Sequence, residues 1–288
     1  MALLHVNKIN LYVEDSGTGT PIIFIHELGG DHRSWHGQVD ELSRDYRCIT
    51  YAARGYPPSD VPENEADYGW QTAVDDLIGI LDALDIETVF LVGLSMGAYT
   101  TLMAALQHPD RISGVIFASG GTGSHENTRE KFAADAHALA NQILETGSTD
   151  LPDFFEGPSR VQLQNKDREA WLDFTDHFRE HSPIGTAMTL RLVQAVRPSL
   201  YDFESELAAM TVPMLIIAGD EDEHVLDVSL WLKRTMPYSG LSVFPKSGHI
   251  VNLEENQTFN RHVREFLTLV EGGFWTRRDP RSEATPSV

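Results

Sequence analysis

The chain has 288 residues, and its 41% hydrophobic and 23% charged content is ordinary for a globular protein with a sizeable core. Its 22 basic and 43 acidic residues give a formal net charge of −21, which argues against nucleic acids and anionic membranes as partners because both repel such a surface. The single cysteine, Cys48, excludes an internal disulfide and favours a reducing, cytoplasmic location, and we expect neither a signal peptide nor a membrane span.

Strands and helices are predicted to alternate through the first part of the chain. Apolar or β-branched runs predict strands at 3–6, 9–14, 22–25, 46–51, 88–92 and 112–118. Apolar residues at helical spacing predict helices at 39–44, 70–84 and 96–107. The run 22–25 is apolar at every position, as expected of a strand that is covered on both faces. This alternation predicts an α/β fold with a mostly parallel sheet and helices on both faces.

The pattern changes after residue 120. Between 124 and 206 no strand-like run occurs, and helices are predicted at 128–145, 168–178 and 184–196. Strands at 213–218 and 241–244 and helices at 228–235 and 254–270 then resume the alternation. We therefore predict a core domain formed by 1–123 and 207–270, a helical cap insertion at 124–206, and a C-terminal tail at 271–288. At least one aromatic residue of the cap is expected to line a pocket, the candidates being Phe132, Phe154, Trp171 and Phe174.

A serine between the predicted strand 88–92 and the predicted helix 96–107 is the candidate nucleophile. The sequence G-L-S-M-G places Ser95 on a sharp turn from strand to helix, and such a turn leaves no room for side chains at positions 93 and 97. The turn raises the Ser95 hydroxyl above the sheet. It also brings the Met96 amide to a helix N-terminus, where that amide can face a developing negative charge.

A serine nucleophile needs a base within hydrogen-bond reach and an acid that orients the base. Two later loops follow predicted strands and offer such groups, G-D-E-D-E-H after 213–218 and S-G-H after 241–244. His249 is the predicted base. Asp222 is the predicted acid because it stands three residues after the glycine that ends its strand, and Asp220 is the alternative. The chain order of serine, acid and histidine is the order of α/β-hydrolases.

The second half of an oxyanion hole is predicted in the loop that follows the strand 22–25. In H-E-L-G-G, the glycines allow the backbone to turn close to a substrate, and the Leu28 amide is expected to act together with the Met96 amide. His26 is expected to brace this loop. The remaining histidines have no recognisable metal spacing, so neither a metal nor another cofactor is expected.

These segments together carry a family resemblance. Over roughly 3–270 the chain resembles the α/β-hydrolase superfamily, with G-L-S-M-G, H-E-L-G-G, G-D-E-D and S-G-H all in place. The stretch Y-A-A-R-G-Y-P-P-S-D resembles the superfamily's D-x-R-G-x-G-x-S loop through Arg54, Gly55 and Ser59, whereas Glu27 replaces the usual glycine after the histidine. The segment L-G-G-D-H-R-S-W is also similar to that of 3-oxoadipate enol-lactonases, which cleave cyclic esters.

The resemblance implies the α/β-hydrolase fold and a cofactor-free serine hydrolase that acts on a small-molecule ester or lactone. Alternatives within the fold are hydrolysis of a carbon–carbon bond and a cofactor-free dioxygenase, and a hydrolase-like ligand sensor is the alternative outside enzymes. A neutral substrate is expected, because the cations considered in the insertion stand mostly beside acids in helices of mixed charge. They are Arg129, Lys131, Arg160, Lys166, Arg168, Arg179 and Arg191. The oligomeric state is left open.

Overall fold

A single sheet organises the fold. The computed structural model describes residues 1–283, so the last part of the predicted tail, 284–288, lies outside the described residues. Within residues 1–283 the sheet has eight strands. They are β1 (Ala2–Val6), β2 (Ile9–Ser16), β3 (Pro21–Ile25), β4 (Arg47–Tyr51), β5 (Val89–Leu94), β6 (Ile112–Ala118), β7 (Met214–Gly219) and β8 (Ser239–Phe244).

The order of the strands creates a crevice at one edge of the sheet. Across the sheet the order is β1-β2-β4-β3-β5-β6-β7-β8, with β2 antiparallel to both β1 and β4 and every other neighbouring pair parallel. Because β3 lies between β4 and β5, the direction in which strands are added reverses beside it. In open α/β sheets such a reversal leaves a ligand-binding crevice at the carboxyl ends of the strands. The predicted mostly parallel sheet is confirmed.

Helices cover both faces of this sheet. They are α1 (His36–Leu42), α2 (Trp70–Ala83), α3 (Met96–Gln107), α4 (Glu126–Thr146), α5 (Pro152–Phe155), α6 (Val161–Lys166), α7 (Arg168–Arg179), α8 (Pro183–Thr189), α9 (Glu204–Ala209), α10 (Glu223–Thr235), α11 (Val251–Glu254) and α12 (Asn256–Glu271). The predicted helix 184–196 is divided, because α8 ends at Thr189 and a π-helical turn over Leu190–Gln194 follows it.

Strand β3 shows how one apolar run serves two cores. Ile23 and Ile25 belong to the core beneath α2, α3 and α10, whereas Ile22 and Phe24 belong to the core beneath α1 and α12. Successive side chains of a strand point to opposite faces, so a strand between two helical layers must be apolar at every position. The helices predicted on both faces are therefore confirmed.

The stretch between β6 and β7 is helical, and we call residues 124–206 the cap segment. Its aromatic side chains form a local cluster, with the Phe154 and Phe178 rings stacked at 5.0 Å and the Phe155 and Phe178 rings edge to face at 5.5 Å. Two of its helices lie close to the predicted ranges 128–145 and 168–178, since α4 spans Glu126–Thr146 and α7 spans Arg168–Arg179. The division of the chain into separate core and cap domains stays a prediction.

The predicted tail is not uniformly loose. The Trp275 indole lies edge to face with Phe266 of α12 at 4.7 Å, and its Nε1 donates to the Tyr238 carbonyl at 2.8 Å. Phe274, the residue before it, is 75% exposed. Among residues 1–283 no helix combines the length and the apolar character needed to cross a membrane.

Candidate active site

Ser95 lies in a strained turn between β5 and α3. Its backbone has φ 54° and ψ −106°, and a positive φ is unfavourable for a residue with a side chain. A Cβ at Gly93 would collide with the backbone of Gly97, and a Cβ at Gly97 would collide with the Ile25 carbonyl. The two glycines of the G-L-S-M-G segment thus allow β3, β5 and α3 to approach closely enough to form the turn.

A chain of two hydrogen bonds connects Ser95 to an acid. His249 Nε2 lies 2.8 Å from Ser95 Oγ, and His249 Nδ1 lies 2.6 Å from Asp222 Oδ2. Because a carboxylate only accepts hydrogen bonds, the Asp222 contact assigns the proton to Nδ1 and leaves Nε2 free to accept from the serine hydroxyl. His249 and Asp222 are 6% and 4% exposed, so water competes little for these bonds.

Asp222 and Asp220, the two candidates for the acid that orients His249, have different contacts. Asp222 follows β7 and reaches His249, whereas Asp220 is exposed, and its Oδ1 accepts from the Ser247 amide at 3.2 Å. Asp220 therefore contacts the loop that carries His249 and not the imidazole itself.

The loop around His249 also depends on an acid that the sequence interpretation did not single out. Glu254 accepts from the Gly248 amide at 2.6 Å and from the Ile250 amide at 3.2 Å, on either side of the histidine. Burial raises the pKa of Glu254, although these amide bonds and the nearby Lys166 ammonium favour its charged form. A local signal existed in the sequence, since an acid five residues after a loop histidine can reach back to free amides of the preceding turn.

The two predicted oxyanion amides belong to adjacent elements. Met96 begins α3, and Leu28 lies in the loop after β3, which the close contact at Gly97 holds beside the α3 N-terminus. Among residues 1–283 neither the Leu28 nor the Met96 amide donates to another group of the chain. The Leu28 carbonyl, which belongs to the next peptide unit, accepts from the Tyr56 hydroxyl at 3.0 Å. Their role as an oxyanion hole stays a prediction.

A buried ion pair lies beside this loop, and the sequence interpretation missed it. Glu27 Oε2 accepts from the Gly29 amide at 2.8 Å and from Arg160 Nη2 at 2.7 Å. The two side chains are 1% and 4% exposed. Arg160 also lies over the rings of Phe154 and Phe174, at 4.4 and 5.3 Å. Glu27 stands where the resemblance to the superfamily implies a glycine, and its charge is balanced by an arginine of the cap segment.

His26 is not a catalytic base but a bridge between two loops. Its Nδ1 contacts the Glu27 carbonyl at 2.7 Å, and its Nε2 accepts from the Ala53 amide at 3.0 Å. Both bonds require the neutral ring with its proton on Nδ1. Complete burial lowers the pKa of His26 to about 4.

This pKa predicts a loss of stability in mild acid. The unfolded chain takes up the His26 proton near its ordinary pKa of about 6.5, whereas the folded protein resists it until about pH 4. Protons then favour the unfolded state, so the free energy of unfolding should fall by about 3 kcal/mol as the pH drops through this window. Denaturant titrations at several pH values should show a flatter pH dependence for His26→Gln than for the wild type.

The matched control for this experiment is His137→Gln, since His137 is exposed on α4. It should keep the wild-type pH dependence. If His26→Gln and His137→Gln gave the same slope, the acid sensitivity would have to come from other groups.

Ser95 and His249 open onto a cavity of about 200 Å³ between the sheet edge and the cap segment. Phe132 and Phe154 line it, whereas Trp171 and Phe174 are buried outside it. Polar and charged side chains also line the cavity, among them Glu27, Gln194, Arg160 and Arg197. Among residues 1–283 no group of three or more histidine, cysteine, aspartate or glutamate side chains is arranged to hold a metal ion.

Comparisons with known proteins point to one family. A family model described as alpha/beta hydrolase fold matches residues 20–256. The 3-oxoadipate enol-lactonase 1 of Acinetobacter baylyi is 29% identical, over 87% of this chain and 89% of its own length. A Mycobacterium tuberculosis protein named as non-heme bromoperoxidase BpoC is 32% identical, over 91% and 99%. A 2-hydroxy-6-oxononadienedioate/2-hydroxy-6-oxononatrienedioate hydrolase of Burkholderia vietnamiensis is 28% identical, over 90% and 91%.

Solved structures share the same fold. MenH from S. aureus aligns with a TM-score of 0.81 and 22% identity, over 91% of this chain and 98% of its own. The enol-lactonase from Burkholderia xenovorans LB400 aligns with a TM-score of 0.74 and 24% identity, over 93% and 100%. At these identities the likeness shows the fold alone.

Proposed function

The chain is an enzyme of the alpha/beta hydrolase fold family, and we propose that it is a serine hydrolase that cleaves a small carboxylic ester or lactone. The observation that carries this proposal is the continuous hydrogen-bonded chain from Asp222 through His249 to Ser95. A serine hydroxyl is a weak nucleophile until a positioned base takes its proton, and these distances satisfy that requirement. The relative named as an enol-lactonase supports a lactone or ester as the substrate.

The proposed reaction begins when Ser95 Oγ attacks the carbonyl carbon while His249 Nε2 takes the hydroxyl proton. Negative charge moves to the carbonyl oxygen, where the Leu28 and Met96 amides receive it, and each such donor stabilises the transition state by about 3 kcal/mol in the enzyme where this was measured. His249 then gives its proton to the leaving alcohol. A water activated by the same imidazole releases the acid from the acyl-enzyme, and Asp222 holds the ring in one tautomer throughout.

A second candidate is hydrolysis of a carbon–carbon bond, and one relative favours it. The substrate named for the Burkholderia vietnamiensis hydrolase contains a ketone and carboxylates but no ester, so its hydrolysis must break a carbon–carbon bond. The same nucleophile, base and oxyanion amides can act on a ketone carbonyl. Ester hydrolysis remains the first proposal because an alcohol is a far better leaving group than carbon.

Covalent trapping tests the proposal directly. A fluorophosphonate probe should label one residue, and peptide mass spectrometry should locate the label on Ser95, because its hydroxyl opens onto the cavity and contacts a base that Asp222 orients. A panel of p-nitrophenyl esters and lactones should then show continuous turnover. Labelling elsewhere would refute the assignment of the nucleophile. A single burst without further turnover would favour a ligand sensor, and turnover of vinylogous ketones alone would favour the second candidate.

A further inference from the structure

The charged side chains of the active-site cavity are balanced with one exception. Glu27 pairs with Arg160 at 2.7 Å, and Asp135, which is exposed at the cavity edge, pairs with Lys131 at 2.6 Å. Arg197 lines the same cavity as Ser95 and His249. Within the part of the chain that the structure describes, no carboxylate lies within ion-pairing distance of this guanidinium.

The Thr122 carbonyl and two aromatic rings hold the Arg197 guanidinium. Its Nη2 donates to the Thr122 carbonyl at 2.9 Å, and its guanidinium carbon lies 4.9 Å from the centre of the Tyr99 ring and 5.6 Å from that of Phe132. Its backbone carbonyl accepts from Arg129 Nη2 at 2.7 Å. Nη1 is buried and has no hydrogen-bond partner among residues 1–283.

Burial of the Arg197 charge without a counter-charge costs free energy. Arg197 is 5% exposed, so water solvates it poorly, and burial lowers its pKa to about 10, at which the side chain is still charged at neutral pH. The guanidinium of Arg129 adds a like charge nearby. Aromatic faces offset only part of the free energy lost when a charge is buried without a counter-charge. Costly groups of this kind are concentrated at functional sites.

We infer that Arg197 binds an anionic group of the substrate, a carboxylate carried by the ester or lactone away from the carbonyl that Ser95 attacks. The inference rests on the proposed hydrolysis and adds the class of substrate to it. The free Nη1 can make charge-assisted hydrogen bonds to a carboxylate, and a single cation matches the one charge of a carboxylate better than the two charges of a phosphate. Gln194 lines the same cavity, and its buried Oε1 also lacks a partner within the described part of the chain, so a second polar group can bind there.

This substrate class departs from the neutral substrate expected from the sequence. That expectation considered the cations that stand beside acids in the cap segment, and it left Arg197 out. The net charge of −21 slows the distant approach of an anion, but salt screens this field beyond about 10 Å at 0.1 M. A contact inside a closed cavity is screened much less.

The test compares kcat/KM for two matched sets of p-nitrophenyl esters at low and high salt. One set consists of mono-esters of linear dicarboxylic acids from succinic to suberic acid, and the other of esters of fatty acids with the same chain lengths. Carboxyphenyl esters form a third set, with the charge on the leaving group. We expect the wild type to prefer a charged set at both salt concentrations.

Substitutions at Arg197 should remove this preference. In Arg197→Met the ratio of charged to neutral kcat/KM should fall about 100-fold, as for other truncations of a buried charge pair. In Arg197→Lys it should fall about tenfold, because the charge stays but the planar fork is lost. Arg179→Met is the matched control. It removes the same charge from the cap segment, but Arg179 is exposed and pairs with Asp150 and Asp176, so the ratio should not change.

Binding without turnover separates this inference from the proposed function. Ser95→Ala protein should bind glutarate more tightly than glutaramide in calorimetric titrations, and Arg197→Met should abolish the difference. If no ester is hydrolysed but this difference is found, the proposed hydrolysis fails and the anion site stands. If esters are hydrolysed with no charge preference, or with one that Arg197→Lys leaves unchanged, the inference is overturned while the hydrolysis stands. Should Arg197→Met not fold, the kinetics of Arg197→Lys and the titration of Ser95→Ala protein test the inference.

Discussion

Replacing Ser95 by alanine should lower kcat for any ester substrate by about 10⁶-fold, the scale found when the nucleophile of a serine protease is removed. Ser95 Oγ is the atom that forms the acyl-enzyme, and His249 Nε2, 2.8 Å away, is the base that takes its proton. The fold should persist, since alanine keeps the Cβ and loses one polar atom. Steady-state kinetics with the best substrate of the ester panel measures the effect, and circular dichroism verifies folding.

The matched control is Ser119→Ala. Ser119 is also buried and also has a positive φ, of 47°, but its hydroxyl has no hydrogen-bond partner within residues 1–283. Its loss should leave kcat within the normal range of a conservative substitution. An active Ser95→Ala enzyme, or an equal loss in both variants, would contradict the role proposed for Ser95.

Replacing Asp222 by asparagine should lower kcat by about 10⁴-fold, as the same change does in the serine protease where it was measured. The asparagine amide would donate to His249 Nδ1, which forces the ring proton onto Nε2. The imidazole could then no longer accept the Ser95 proton. Asp222 Oδ2 lies 2.6 Å from His249 Nδ1, so an asparagine amide in the same place would be within hydrogen-bond distance of the ring. The loss should appear in kcat, and KM should change little.

Asp220→Asn is the control for Asp222→Asn, because it removes the same charge two residues away. The amide oxygen can still accept from the Ser247 amide, as Asp220 Oδ1 does at 3.2 Å. Most of the activity should therefore remain. A larger loss at position 220 than at position 222 would show that the third member of the triad had been assigned to the wrong acid.

Much of the fold and part of the candidate site could be predicted because their signals are local. Five consecutive residues are enough to predict the turn at Ser95. The apolar composition of the run 22–25 likewise predicts that β3 is covered on both faces, as it is. His249 could be predicted as the base from its position in a loop that follows a strand. The choice between Asp220 and Asp222 was harder, because both lie in one loop and only the folded backbone shows which carboxylate faces the imidazole.

Other features depend on contacts between residues that are distant in sequence. Glu27 and Arg160 are separated by 133 positions, and no local pattern connects them. Arg197 follows an apolar stretch and looks like a residue at the end of a helix, so its burial against Tyr99 could not be read from its neighbours. The division of the predicted helix 184–196 at Thr189 has no local signal either, because α8 and the π-helical turn over Leu190–Gln194 differ in their backbone hydrogen bonds, which the sequence does not show.

The Glu27–Arg160 pair limits how the two parts of this chain can be exchanged with those of relatives. The carboxylate belongs to the loop after β3 and the guanidinium to the cap segment, and each is buried with the other as its counter-charge. A chimera that received a foreign cap without this arginine would leave a bare carboxylate beside the nucleophile, and breaking one side of such a pair costs about 3–5 kcal/mol. Recombination of caps, in evolution or in the laboratory, must therefore transfer position 160 together with position 27, or restore a glycine at position 27.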